Sequence, residues 1–380
     1  MNVLFITGHG VGGSNVSLLN TLTGLIQNGC NVQVIVPDEM TSNLFKKNSI
    51  SCTIVPFRPS IWPVCTSWHH YLSFPLRLLY QRVINYLAQN KITQLARHFN
   101  PDIIHTNISV VDLGYQVANK MNIPHIFHFR EYGDRDFKYK RYPSQKQFYK
   151  KIENSYSIAI TKDLKNYYSL SDERSVVIYN GIMPQRNYAP MKKENYFLYV
   201  GGLSHEKGID LLVGTFISLI KEGEDLQLYV CGSGNKGFVD NVQTLVNSEG
   251  NDVSSRIAFL GQRSDVYELM TKAKALVVPS LSEAFGRITA EAMFNDCLVV
   301  GNNTAGTKEQ FDNGLSLTGE EIGIRYSNDH ELKSAIKTVN QKNEDLFNPM
   351  REKAFYVVNS LYSAEHNVEE ILRFYHRIMD

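Results

Sequence analysis

Short apolar runs alternate with glycine-bearing turns and amphipathic helical stretches along the whole chain, an order that predicts parallel β-sheets. Val3 to Thr7 reads as a first strand, followed by the loop Gly8-His9-Gly10-Val11-Gly12-Gly13-Ser14. A helix is expected from Val16 to Gln27, apolar at Val16, Leu19, Leu22, Leu25 and Ile26, with Gly29 as its C-terminal stop. Val32 to Val36 reads as the next strand. The second half repeats this grammar: strand Tyr196 to Val200, loop Gly201 to Gly208, helix Leu211 to Lys221, strand Leu226 to Val230. Strands alternating with helices build parallel sheets from β-α-β units. Two such openings predict an α/β protein of two doubly wound domains.

Val176-Val177-Ile178-Tyr179 reads as the last strand of the first domain, and Asn180-Gly181 is a turn signal before a polar stretch flanked by Pro184 and Pro190. The expected division is 1–183 for the first domain and 184–362 for the second. Residues 363–380 read as a final helix capped by Ser363, apolar at Val368, Ile371, Leu372, Tyr375 and Ile378.

The length of 380 residues also favours two domains. A net charge of +1 gives no general pull toward nucleic acid. Five cysteines (Cys30, Cys52, Cys65, Cys231, Cys297) are scattered without a Cys-x-x-Cys pair, which argues against a zinc site and a disulfide framework and for a reduced, cytoplasmic setting. The first residues lack the basic start and long apolar stretch of a secretory signal, and no apolar run is long enough to span a bilayer. The expectation is a soluble protein, or one peripheral at the inner membrane face.

The most informative segment runs from Ser280 to Met293. An apolar strand, Ala275 to Val278, turns through Phe285-Gly286 into a helix, leaving backbone N–H groups and the helix dipole aimed at a docking anion. Glu283 lies in the loop. Glu291 follows eight residues later, which at about 3.6 residues per turn is two turns on and on the same face. Two acids that read hydroxyls on either side of a phosphate cradle suit a sugar nucleotide.

The Glu-x7-Glu spacing in the context Pro-Ser-x-x-Glu-x-Phe-Gly, with Ala-Met after the second acid, resembles the signature of retaining glycosyltransferases of family four. The resemblance covers most of the chain and is tightest from Tyr196 to Gly314. It implies the GT-B architecture: two facing Rossmann-like domains, the last helix returning to the first. It further implies transfer of a sugar from a nucleoside diphosphate to a hydroxyl of a saccharide or polyprenol-linked acceptor, in surface polysaccharide or glycan assembly. No cofactor beyond the sugar nucleotide and no metal are implied. By the same resemblance Glu283 positions the sugar and Glu291 grips the ribose. Amides around Ala284, Phe285, Gly286 and Arg287, with Gly12 and Gly13 of the first domain, face the diphosphate. His128, at the end of the strand running to Phe129, approaches the sugar, with His125 on the same side but deeper. Arg130 and Glu131 are acceptor-side candidates, Arg263 sits in the base-holding loop after Ile257 to Phe259, and Glu309 follows a Gly306 turn.

Lys207, in Glu206-Lys207-Gly208, reaches the diphosphate as a point charge. A cation at a helix N-terminus is unfavourable unless an anion faces it. One departure stands out: the family often has arginine where this chain has Gly202, leaving Arg287, Lys308 or Arg263 to replace it.

Gly8-x-Gly10-x-x-Gly13 with Asp38 beyond the second strand also fits a dinucleotide site, so an NAD(P)-dependent oxidoreductase is the rival reading. A sugar-nucleotide epimerase on the same scaffold and a non-catalytic sugar-nucleotide sensor are the others. Asp134-Arg135-Asp136 reads as a loop feature rather than a metal site. Residues 62–99 interleave aromatic and basic side chains, which suits either contact with anionic lipid or ordinary packing on the first sheet.

Overall fold

The computed structural model describes residues 1–380, the side chain of Phe137 excepted. The chain forms two compact units: Met1–Gly181 together with Ala364–Asp380, and Ile182–Ser363. The first contains a seven-stranded parallel sheet in the order β3-β2-β1-β4-β5-β6-β7. Its strands are β1 (Asn2–Ile6), β2 (Asn31–Val36), β3 (Cys52–Ile54), β4 (Ile103–Thr106), β5 (His125–Phe129), β6 (Tyr156–Ala159) and β7 (Ser175–Val177). The second contains six parallel strands in the order β10-β9-β8-β11-β12-β13. These are β8 (Glu194–Val200), β9 (Leu228–Cys231), β10 (Ile257–Gly261), β11 (Ala273–Val278), β12 (Leu298–Asn302) and β13 (Ile324–Tyr326).

Helices cover both faces of the first sheet, so its strands are apolar on both sides. Along β1, Val3 and Phe5 join one core with Leu18, Leu22 and Leu25 of the helix Gly13–Gln27. Leu4 and Ile6 join the opposite core with Ala88, Ile92 and Ala96 of the helix Phe74–Phe99. The first helix starts three residues before the expected Val16. Gly12, in extended backbone, already accepts from the Asn15 and Val16 amides, so its carbonyl opens the helical ladder.

The closing helix Ala364–Met379 belongs to the first unit. It buries Val368, Ile371, Phe374 and Tyr375 in the core that holds Leu18 and Leu22. A Cβ on Gly24 would lie 2.4 Å from Val368 Cγ2, so the missing side chain lets the two helices touch. Thr21 Oγ1 donates to Asn367 Oδ1 at 2.8 Å, and Asn367 Nδ2 donates to the Tyr179 carbonyl at 2.7 Å, fastening the helix at its start.

Candidate active site

Each sheet reverses its winding once, between β1 and β4 and between β8 and β11. Ligand crevices in open α/β sheets form beyond the carboxyl ends of strands at such reversals. In the second unit Lys207 lies in the loop after β8 and Glu283 in the loop after β11. Lys207 Nζ is 2.6 Å from Glu283 Oε1, which also accepts from Ser280 Oγ at 2.9 Å. The two loops are tied through backbone, since the Leu281 amide donates to the Glu206 carbonyl at 3.0 Å. Gly208, at φ +68°, passes so close that a Cβ would lie 2.2 Å from the Pro279 carbonyl oxygen.

The loop after β12 supports the other side of the Glu283 loop. The Gly306 amide donates to the Glu283 carbonyl at 2.8 Å, and Asn302 Nδ2 donates to the Ser280 carbonyl at 3.2 Å. Gln310 Nε2 donates to the carbonyls of Phe285 (2.5 Å) and Gly286 (3.0 Å). Ser280, Asn302 and Gln310 were outside the expected site set. A single polar residue on a strand end or helix carries no spacing signal that separates support for a loop from surface decoration. Phe285 is buried edge-on against Tyr362, with ring centroids 5.3 Å apart. Ala284 is half-buried, and Gly286 at φ +77° precedes the helix Arg287–Phe294.

That helix start corrects the two-turn count. Only residues from Arg287 onward are helical, so Glu283 is a loop residue and Glu291 sits in the second turn. Each acid has its own cation: Glu283 has Lys207, and Glu291 Oε1 lies 3.0 Å from Arg287 Nη2. Glu291 is 9% exposed, and burial pushes its carboxyl above the ordinary carboxylate range, with Arg287 opposing.

The three cations considered as replacements at the Gly202 position each face an acid: Arg287 faces Glu291, Lys308 faces Asp312, and Arg263 faces Asp265. Gly202 is exposed, and a Cβ there would meet nothing within 4 Å. A cavity of about 460 Å³ opens beyond β8, β9 and β10, lined in part by Gly201, Gly202, Gly232, Gln262 and Arg263. Glu309 is half-buried on the helix Ala305–Thr318.

In the first unit Gly12 and Gly13 are exposed at the start of their helix. His128 is 1% exposed near the end of β5. His125, three residues earlier, faces the opposite side, correcting the shared-face expectation, because side chains alternate along a strand. It bonds Thr106 Oγ1 at 2.8 Å and Ser155 Oγ at 2.9 Å. His128 Nδ1 lies 3.1 Å from His105 Nε2 and 3.4 Å from Arg130 Nη2, and His105 Nδ1 lies 2.6 Å from the Tyr375 hydroxyl.

Arginine only donates, so His128 Nδ1 accepts and the ring carries its proton on Nε2. Burial first, then the Arg130 charge, holds His105 and His128 well below the ordinary histidine range, so both rings are neutral. His128 Nε2 is buried without a hydrogen-bond partner. It is therefore a donor with no acceptor among the described residues, an arrangement that costs about 1–3 kcal/mol unless a ligand completes it.

Arg130 and Glu131 are both buried rather than a surface pair. Arg130 donates to Asn107 Oδ1 at 2.9 Å and to Asn180 Oδ1, while Glu131 accepts from the Ser109 amide (2.9 Å) and hydroxyl (2.8 Å). Asn107 Nδ2 in turn donates to Thr7 Oγ1 at 3.1 Å, so this network lies at the β1/β4 reversal. Asp38, the acid of the dinucleotide pattern, caps the helix Glu39–Lys46 through the Thr41 amide (2.8 Å) and pairs with His9 Nδ1 at 2.6 Å. Asp134 and Asp136 lie on a one-turn helix, Asp134–Phe137, rather than in the expected loop; Asp134 accepts from the Tyr167 hydroxyl and Asp136 from the Tyr132 amide, so both acids serve local structure.

A two-unit α/β protein whose sheets each carry polar groups at their winding reversal has the architecture of GT-B glycosyltransferases. Comparison with known proteins agrees. A sequence profile described as Glycosyl transferases group 1 matches residues 185–355, and one described as Glycosyltransferase Family 4 matches residues 11–186. Together they span nearly the whole chain, which belongs to glycosyltransferase family four.

An uncharacterized glycosyltransferase of Methanocaldococcus jannaschii is 27% identical over 62% of this chain and 64% of its own length. The O-antigen chain mannosyltransferase RfbU of Salmonella typhimurium is 24% identical over 82% of each chain. The HepE protein of Anabaena, solved in complex with UDP-glucose, has the same fold, with a TM-score of 0.73 at 16% identity over 99% of this chain and 100% of that one.

Proposed function

We propose that this glycosyltransferase moves a sugar, with retention of configuration, from a nucleoside diphosphate to a hydroxyl of a saccharide or lipid-linked acceptor on the cytoplasmic side of a membrane, in glycan assembly. The observation that carries the reading is the Lys207–Glu283 pair, 2.6 Å apart at the β8/β11 reversal. One group is suited to a departing diphosphate and the other to the hydroxyls of the sugar it leaves.

Departure of the diphosphate leaves an oxocarbenium-like sugar and puts negative charge on the leaving oxygens. Lys207 and the first-turn amides beyond Gly286 would meet that charge. Glu283 would hold the sugar by its hydroxyls, Glu291 the ribose. The cavity beside Gln262 and Arg263 would take the base. The unpartnered His128 Nε2–H supports a role as donor to an oxygen of sugar or acceptor, with Arg130 and Glu131 holding the strand end that presents it.

Occupation of Asp38 by Thr41 and His9 disfavours the oxidoreductase reading, in which that acid binds a ribose. The test is incubation of the purified chain with UDP-, GDP- and ADP-sugars and saccharide or polyprenyl-phosphate-linked acceptors, with the product anomer assigned by NMR. The expected result is acceptor-dependent transfer with a retained anomer that survives a metal chelator. Inverted product would remove the retaining assignment, and an altered sugar released without any acceptor would replace transfer by epimerisation.

A further inference from the structure

Between Glu39 and Asp102 the chain has no acidic residue and seven lysines and arginines, in a protein whose net charge is only +1. The same stretch gathers its exposed apolar side chains. On the helix Phe74–Phe99, Leu76, Leu79, Tyr80, Val83, Tyr86 and Leu87 are all exposed, Leu76 at 71%. At about 100° per residue these six positions fall within an arc of about 120°. The buried positions Gln81, Ala88 and Ile92 lie on the opposite side of the same helix, Ala88 and Ile92 in the core beneath the sheet and Gln81 donating to the Pro59 and Ile61 carbonyls.

The helix is therefore apolar on two faces, and packing on the sheet accounts for only one. Exposed Arg82 and Lys91 lie just outside the edges of the outer stripe. The preceding helix Trp68–Leu72 extends the surface with Trp68 (64% exposed), Tyr71 and Leu72. Solitary exposed apolar residues are ordinary, but a continuous stripe with aromatic rings and a cationic rim is not.

We propose that this face seats the protein on an anionic lipid bilayer, the helix Phe74–Phe99 lying along the interface with its outer stripe among the acyl chains and the basic rim against lipid phosphates. Charge decides the occupant. A second copy of this chain, packed through the same face about a twofold axis, would set this acid-free, cationic stretch of chain against itself, which like-charge repulsion opposes. An anionic membrane meets both features, since its surface attracts lysine and arginine while its interior takes up the apolar stripe. The inference is independent of the reaction proposed above.

Both tryptophans of the chain, Trp62 and Trp68, lie in this segment, so their emission reports on it without a label. The experiment is flotation of the full chain with phosphatidylcholine vesicles, with and without about one third phosphatidylglycerol, at about 0.1 M salt. Binding to the anionic vesicles is expected, with a blue shift of tryptophan emission, quenching by brominated acyl chains, and weakening in salt or on neutral lipid. Leu76→Glu should lower partitioning about tenfold or more. Leu346→Glu, at an exposed leucine of the second unit, should leave it unchanged.

If Leu76→Glu impairs folding, the double charge reversal Arg82→Glu with Lys91→Glu tests the rim instead and should weaken binding comparably. Absence of flotation on anionic vesicles would overturn the proposal. So would equal losses at Leu76 and Leu346, or self-association abolished by Leu76→Glu in a chain that ignores lipid.

Discussion

Replacing Glu283 with glutamine should tighten the binding of a free nucleoside diphosphate while impairing sugar transfer. The Lys207 ammonium is 2.6 Å from Glu283, so a diphosphate must draw it away from an existing partner. The side chains of Lys207 and Glu283 are 36% and 22% exposed, so the pair is partly screened and is worth about 1 kcal/mol or less. Removing that competition corresponds to at most about a fivefold gain in affinity for UDP, GDP or ADP, whichever base the cavity accepts. Glutamine keeps the length of the side chain and an oxygen for the Ser280 hydroxyl. Transfer should nonetheless fall about a hundredfold, because the lost charge acts on the sugar as the bond breaks. Lys207→Met should do the opposite to binding, weakening free diphosphate, and should cut transfer by about 10²–10³. Calorimetric titration of the three proteins with the nucleotide, beside steady-state transfer rates, separates these effects. If Glu283→Gln loosened the free diphosphate as much as Lys207→Met does, the carboxylate would be a holder of the phosphates and the assigned division of labour would be wrong.

Three further outcomes follow from the geometry. Burial raises the Glu291 carboxyl above its ordinary 4.5, so donor affinity should fall as pH drops through that raised value, before ordinary carboxylates titrate; Glu291→Gln should bind weakly with no such dependence, and a wild-type affinity that stays flat until ordinary carboxylates titrate would exclude Glu291 as the ribose ligand. Gly208→Ala, which would place a Cβ 2.2 Å from a backbone oxygen at φ +68°, should push the Lys207 loop off the Pro279 loop, costing about 1–3 kcal/mol of stability in a thermal melt and weakening nucleotide binding; an unchanged melt and affinity would show the loops are not tied there. His105, His125 and His128 are held neutral by burial below the 6.5 of a free histidine, His125 down to about 3, so unfolding takes up protons, and the stability they contribute above pH 6.5 is lost as pH falls beneath it, at about 1.4 kcal/mol per pH unit for each ring; a melting temperature independent of pH from 7 to 5 would contradict their burial.

The doubly wound architecture was legible because it rests on local repetition. Apolar strands of the right length, glycine after them and amphipathic helices next are all readable within about thirty residues. The Glu283 loop was legible for the same reason, since Phe285, Gly286 and Glu291 lie close in sequence. What escaped was long-range pairing. The bond between Lys207 and Glu283, 76 positions apart, has no pattern in the sequence that announces it. The buried network of His105, His128, Arg130 and Asn107 joins strand ends that only the sheet order brings together. The helical count from Glu283 to Glu291 failed because periodicity cannot say where a loop becomes a helix; the left-handed Gly286 does, and that conformation is a property of the folded turn. Aromatic and basic interleaving at 62–99 left two readings open; burial shows one face of the helix Phe74–Phe99 packed on its own unit and another exposed, which accounts for the packing reading and leaves the lipid reading to the vesicle experiment.

The closing helix reaches the first unit only after the whole second unit has been synthesised. Tyr375 completes the polar chain at His105, and Val368 fills the notch at Gly24. A nascent chain leaving the ribosome can thus assemble the second unit from an uninterrupted stretch, while the first unit waits, with Leu18 and Leu22 uncovered, for the helix Ala364–Met379 to arrive. Of the two units, the one whose strands are made earlier is the later to be finished, and that interval is when holdase chaperones would find it.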